Sequence, residues 1–339
     1  MRLAARLMIA GLALATGGTA AGCSAVPGLA YARGATQPSA TGRPAVSQSP
    51  AAAVASVSAS PSVSASVLPK ADPGPRIVTV GAPRAVKAKA GILMDVTTGQ
   101  VLWAKDPDTP RPIASITKVM TALVVMAAGN LDREITVPKS VTAYVAKNGA
   151  SAAGLVPGQE LTVDELLHAM LIMSAADADY MLANAYGPGL AAFIAKMNAE
   201  AATLGLAHTH FTSPDGLPYP TQTSTYSTPA ELVALGEIAM RYPEFRSIVR
   251  LGTYVLKKGD GHGAYWWYSS NELIGRYPGV IGIKTGFTDA AGHTLLFEAV
   301  RGGRTLIGVV LGSPPTGPAS GAQDAAKILN WGFAQKQAP

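Results

Sequence analysis

Ile113-Ala114-Ser115-Ile116-Thr117-Lys118 leads directly into the apolar stretch Val119 to Ala128. That stretch has the length and composition of a buried helix. A serine and a lysine three positions apart lie on one helical face, so Ser115 presents a hydroxyl beside the amine of Lys118. An unassisted serine is a poor nucleophile at neutral pH, and a neighbouring base is the usual remedy. A lysine titrates near 10.4 in water, so Lys118 can serve as that base only where burial or a second cation favours its neutral form. Taken alone, a Ser-x-x-Lys tetrapeptide is a common polar helix start, and its chemistry has to be supported from elsewhere in the chain.

Two later segments support it. Ser174 lies 59 residues on, in Met173-Ser174-Ala175-Ala176-Asp177-Ala178, and Lys284-Thr285-Gly286 lies 110 residues beyond that, closing the apolar run Val280-Ile281-Gly282-Ile283 at an expected strand end. Ser-x-x-Lys, Ser-x-Asn and Lys-Thr-Gly in this order form the pattern of active-site-serine β-lactamases and penicillin-binding proteins. From about Ala90 to Phe333 the chain resembles the penicillin-binding D-alanyl-D-alanine carboxypeptidases of low molecular mass. The agreement extends through Ile113 to Thr121, through Phe211-Thr212-Ser213-Pro214-Asp215-Gly216-Leu217-Pro218 with Tyr226-Ser227-Thr228, and through Arg276-Tyr277-Pro278-Gly279-Val280 into Lys284-Thr285-Gly286-Phe287-Thr288. One position departs from the pattern: Ala176 stands where the family usually has asparagine.

The resemblance implies acyl transfer to a D-Ala-D-Ala terminus of a peptidoglycan stem peptide, with β-lactam antibiotics as covalent inhibitors. Ser115 is the expected nucleophile, Lys118 the general base and Ser174 a proton relay to the leaving amine. Lys284 and Thr285 are expected to hold the terminal carboxylate, and Gly286 to let the peptide approach the strand without an intervening side chain. By resemblance, the backbone N–H groups of Ser115 and Phe287 form the oxyanion hole. Each residue also has a plainer reading: Ser174 as a helix cap, and Lys284-Thr285-Gly286 as a strand-end turn. Ala176 offers no amide to substrate or lysine, which keeps a non-catalytic, penicillin-sensing or wall-binding lipoprotein in play. A D,D-transpeptidase differs only in the acceptor that intercepts the acyl-enzyme. A β-lactamase would need a glutamate in the stretch from Phe211 to Pro220, which has none.

Around this nucleus the elements alternate in blocks. Gly91 to Val96 and Val101 to Lys105 read as two strands joined by a Thr98-Gly99 turn. Thr162-Val163-Asp164-Glu165 is a capping-box pattern that opens a helix to about Met173. Helices follow over Ala176 to Ala185 and Leu190 to Leu204, and Thr228-Pro229-Ala230-Glu231 repeats the capping pattern with proline at the first helical position. The last third turns to strands: Tyr254 to Lys257, Tyr265 to Ser269, Ile281 to Thr285, then a hairpin of Thr294 to Val300 and Thr305 to Leu311 about Gly302-Gly303. A helix from Ala319 to Gln335 closes the chain. The expected class is α+β, an antiparallel sheet covered by helices, which the resemblance makes a β-lactamase/transpeptidase-like fold.

The 339 residues divide into an expected signal peptide (1–22), a linker (23–85) and a serine D,D-peptidase domain (86–335). Arg2 and Arg6 precede the apolar stretch Leu7 to Ala15 and the small-residue zone ending at Cys23, the single cysteine. Ala-Ala-Gly-Cys resembles a lipobox, so Cys23 is the expected lipidation site and membrane anchor. Cleavage after Ala30-Tyr31-Ala32, or an uncleaved anchor, are the rival readings. Residues 34–75 hold seven Pro, nine Ser and ten Ala with three charged residues and no aromatics, a composition that suits an extended tether. The net charge of +6 is uneven: residues 1–89 carry nine basic residues against Asp72 alone, and residues 90–339 carry 18 basic against 20 acidic. The folded part therefore has no basic surface suited to nucleic acid. No His-Glu-x-x-His or cysteine-rich spacing indicates a metal, His208 and His210 merely alternate, and no cofactor is expected. Trp266 and Trp267 read as packing before substrate contact. The expected location is the outer face of the cytoplasmic membrane or the wall.

Overall fold

Residues 81–317 and 319–336 are described in the computed structural model. The signal peptide, Cys23 and nearly all of the linker lie outside them.

The chain opens with strands β1 (Ala90–Asp95) and β2 (Gln100–Lys105), then the two-residue β3 (Arg111–Pro112). A single 3-10 turn, Ala114–Thr117, carries Ser115 and passes without a break into α1 (Lys118–Ala128). Ser115 is thus one turn outside the helix that the sequence suggests. The tighter winding suits it, because side chains at i and i+3 eclipse in a 3-10 turn. Next come β4 (Glu134–Thr136), α2 (Ser140–Asn148), β5 (Glu160–Thr162), α3 (Val163–Met173), α4 (Ala176–Tyr186) and α5 (Leu190–Thr203). The capping box that opens α3 is complete: the Glu165 N–H donates to Thr162 Oγ1 at 3.2 Å, and the Thr162 N–H donates to Glu165 Oε2 at 2.8 Å.

The second half holds β6 (Tyr226–Ser227), α6 (Pro229–Ala239), α7 (Pro243–Val249), β7 (Thr253–Leu256), β8 (Tyr265–Tyr268), β9 (Val280–Thr288), β10 (Gly292–Arg301), β11 (Arg304–Ser313) and α8 (Ser320–Ala334). The second capping pattern is only half realised. Thr228 Oγ1 accepts the Glu231 N–H at 3.1 Å, but the Glu231 carboxylate turns to the His208 N–H and the Thr209 hydroxyl instead. Two residues join β10 to β11, and both Gly302 and Gly303 have positive φ, 58° and 76°, as a tight hairpin turn requires.

Five strands form one antiparallel sheet in the order β2-β1-β11-β10-β9. Helices cover both faces, so its strands are apolar on both sides rather than alternating. Leu306 and Val310 of β11, with Leu295 and Phe297 of β10, meet Ala325, Ile328 and Leu329 of α8. Ile307, Val309 and Leu311 face the opposite way, into the larger core shared with Leu232 and Leu235 of α6 and Ile116, Met120 and Leu123 of the α1 segment. This confirms the α+β class. One expectation needs correction: β9 continues to Thr288, so Lys284-Thr285-Gly286 lies within a strand and not at its end. Because β9 is an edge strand, that segment still has one open side, and the site forms there.

Candidate active site

The start of α1 is buried. Ile116, Thr117 and Lys118 are each at most 1 % exposed, so this segment is fixed by packing on all sides. The loop Pro214-Asp215-Gly216 closes over it: Thr121 Oγ1 donates to the Pro214 carbonyl at 2.6 Å, and Lys118 Nζ donates to the Asp215 carbonyl at 2.9 Å. A Cβ on Gly216 would lie 1.9 Å from the Ala114 carbonyl oxygen, so no larger residue can bring this loop so near the turn that carries Ser115. Ala114 itself has φ of 49°, a left-handed conformation sparsely populated by alanine.

Lys118 Nζ lies 3.3 Å from Ser115 Oγ, within reach of a proton transfer. The same amine is 3.4 Å from Asp179 Oδ2, on a side chain with no exposure. Asp179 was not among the residues that the sequence singled out. Burial, the largest influence, lifts its carboxyl to about 7; Lys118 opposes that rise and Asp215 adds to it. Asp215 is itself fully buried and accepts the Tyr144 hydroxyl proton at 2.6 Å, and burial followed by the Asp215 charge pushes the Tyr144 phenol up.

Lys284 is 1 % exposed and its Nζ donates to the Thr285 carbonyl at 3.0 Å. Burial, then the neighbouring Lys118 charge, hold its ammonium well below the usual lysine range, against the pull of Asp179. Lys118, Lys284, Asp179 and Asp215 therefore share one buried region behind Ser115. Gly286 passes so close to Ser115 that a Cβ there would lie 2.8 Å from the Ser115 nitrogen and 2.6 Å from Thr294 Oγ1. The backbone of β9 thus runs beside the Ser115 N–H.

Ser174 is the C-cap of α3, left-handed at φ of 67°. The plainer reading of this residue as a cap holds, at the C-terminal end of the helix. The same turn also brings Ser174 to the wall of a cavity of about 370 Å³ that Ser115, Lys118, Ala176, Thr285, Gly286 and Phe287 share. Lys284 is behind that wall. Gly149, Ala150 and Ser151 also line the cavity, next to α4, where the Ala176 N–H donates to the Ser151 carbonyl at 2.8 Å. Asp177 ties this loop down: its carboxylate accepts the N–H groups of Ala153 at 2.9 Å and Leu155 at 3.2 Å. Trp267 is buried and its indole N–H donates to the Ala153 carbonyl at 3.3 Å, whereas Trp266 is 59 % exposed. Ser270 Oγ, also at the cavity, sits 2.7 Å from Thr285 Oγ1. Among the described residues no group of three or more metal-ligating side chains occurs, and no helix is long and apolar enough to cross a membrane.

The profile of the family described as D-alanyl-D-alanine carboxypeptidase matches residues 77–315. A D-alanyl-D-alanine carboxypeptidase of Streptomyces sp. strain K15 is 41 % identical over 261 residues, 74 % of this chain and 88 % of that one. The D-alanyl-D-alanine carboxypeptidase DacB2 of Mycobacterium tuberculosis H37Rv is 38 % identical over 248 residues, covering 73 % of this chain and 82 % of the relative. The crystal structure of the Streptomyces K15 DD-transpeptidase superposes with a TM-score of 0.70 at 39 % identity, over 75 % of this chain and all of that one.

Proposed function

The chain belongs to the D-alanyl-D-alanine carboxypeptidase family, and on that premise we propose that Ser115 and Lys118 trim the stem pentapeptide of peptidoglycan through an acyl-enzyme. The protein is a serine-type, penicillin-binding D,D-carboxypeptidase of the cell envelope. The observation that carries the residue assignment is the 3.3 Å contact of Ser115 Oγ with a lysine amine at the floor of an open cavity.

Ser115 Oγ bonds to the carbonyl carbon of the penultimate D-alanine while its proton passes to Lys118. The tetrahedral oxyanion lies between the N–H groups of Ser115 and Phe287; one such donor is typically worth about 10²–10³ in rate. The C–N bond then breaks, and the departing D-alanine nitrogen takes a proton from Lys118 by way of the Ser174 hydroxyl. Water attacks the acyl carbon, Lys118 accepts its proton, and the shortened peptide leaves with the Ser115 hydroxyl restored. Thr285 and Ser270 meet the terminal carboxylate directly. Lys284 acts from behind the wall, where the incoming carboxylate offsets the burial that disfavours its charge.

Membrane attachment through a lipid on Cys23, with the residue 34–75 segment as tether, is the proposed means of reaching the wall. A globomycin-sensitive mobility shift that Cys23→Ser removes is its test, and retention of membrane association in Cys23→Ser contradicts it.

The catalytic assignment is tested by D-alanine release from a synthetic peptide ending in Lys-D-Ala-D-Ala. Wild type releases D-alanine; Ser115→Ala and Lys118→Ala do not. The K15 relative is described both as a carboxypeptidase and as a DD-transpeptidase. Adding glycine as acceptor therefore separates hydrolysis from transfer in the same assay, and free D-alanine with no new peptide bond is the expected product. Undiminished release by Ser115→Ala contradicts the assignment.

A further inference from the structure

We propose that Asp179 is a positioning residue for the general base, completing a line Ser115–Lys118–Asp179 that runs inward from the cavity, in which its carboxylate orients the amine and faces the ammonium formed when Lys118 takes the Ser115 proton. This rests on the assignment of Lys118 as base and concerns a residue that no motif marks.

The geometry is specific. Asp179 Oδ2 lies 3.4 Å from Lys118 Nζ, with both side chains at most 2 % exposed. Neither carboxylate oxygen of Asp179 has a hydrogen-bond donor among the described residues, so this ion contact is the principal polar relation of the group. A fully buried acid without donors is costly, and removing the cation would leave it unpaired. Asp177, two residues earlier, shows the contrast: its oxygens are occupied by backbone N–H groups and serve the loop. Ala176 opens α4 on the cavity wall without a polar side chain. Asp179 sits three residues on, nearly one turn, and is the polar group that α4 brings to the lysine.

The surroundings fix how its charge behaves. Facing it are Lys118 from α1, Lys284 from β9, Asp215 from the loop after α5, and Tyr144 from α2. The buried side chains of α3 and α5 are apolar. Burial and Asp215 favour the protonated carboxyl, and Lys118 and Lys284 favour the anion, so the charge of Asp179 depends on the lysines it faces. A base held by a third group is the arrangement that makes a hydroxyl nucleophilic in unrelated enzymes.

The test is the pH profile of acylation by a chromogenic cephalosporin for wild type, Asp179→Asn and Asp179→Ser, each first checked for a cooperative thermal transition. An anion within about 4–6 Å stabilises the ammonium by about 1–3 pH units, so both neutral variants reach half-maximal acylation at lower pH by about one unit or more. Their plateau falls about three- to tenfold, because the amine is then a weaker base. Asp179→Glu keeps the charge and stays within about half a unit of wild type. Equal shifts in the isosteric and the smaller variant identify charge as the cause, and either variant suffices if the other does not fold. A midpoint that does not move, with a loss that scales with the volume removed, overturns the inference and leaves the base assignment intact. Failure of wild type to acylate at any pH overturns both.

Discussion

Gly286 shows how narrowly one residue can condition the chemistry. A side chain there would enter the space between the Ser115 nitrogen and Thr294. Gly286→Ala is expected to displace β9 from the nucleophile turn and to lower the acylation rate by about 10² or more, the scale of losing an oxyanion donor. Its thermal midpoint should change little, because the displaced strand lies at the sheet edge. Stopped-flow acylation set beside a melting curve checks this, and an unchanged rate would mean that the strand does not supply the donor. Ser115, Lys118, Thr285 and Gly286 belong to short local motifs that the sequence singles out, and the fold brings them to one cavity. Asp179, Asp215 and Tyr144 were not: the Lys118–Asp215 contact spans 97 residues and Tyr144–Asp215 spans 71, distances over which sequence alone carries no register. Asp177 was visible but unassigned, and its role in holding a loop appears only when Ala153 and Leu155 are seen to donate to it.

Single elements follow the same logic. The β10–β11 hairpin was readable because Gly302-Gly303 supplies two positive φ values between apolar runs. The helix α7 was not, because seven residues give too few turns for an apolar period to emerge. In α2 only Val141 is buried, so the helix has almost no apolar stripe to read. The second capping pattern failed because tertiary partners, His208 and Thr209, compete for the Glu231 carboxylate. The loop over the cavity is held to α4 by Asp177, and Asp177→Ala leaves the N–H groups of Ala153 and Leu155 without that acceptor. The expected cost is about 1–3 kcal/mol in stability, with KM for the peptide rising more than kcat falls. Urea denaturation and steady-state kinetics test the two halves, and a fall in kcat alone would place Asp177 in the chemistry instead.

For the whole molecule, buried carboxyls set the response to pH. Glu298 on β10 is 3 % exposed, and its nearest cation, Arg246 of α7, is 3.9 Å away. Burial lifts its carboxyl from 4.5 to about 7, against Arg246. A folded pKa above the unfolded one means that the stabilising proton is in place below about 4.5 and lost as pH rises through about 7. Glu298→Gln removes that dependence and should stabilise the fold at pH 8 by on the order of 3 kcal/mol, raising Tm by several degrees, with little change at pH 4.5. Scanning calorimetry at the two pH values decides it; a Tm gain that is the same at both would refer the effect to packing. An antiparallel sheet covered by helices was inferred from sequence, while the place of β9 at the sheet edge and the 370 Å³ cavity built from segments of α1, α3, α4 and β9 required the fold. The proposed chemistry requires the Ser115 hydroxyl, in the turn before α1, to become covalently acylated. Peptide mapping by mass spectrometry after exposure to benzylpenicillin is the test: one penicilloyl adduct is expected, on the peptide containing Ser115, and an adduct on any other residue, or none, would overturn the assignment.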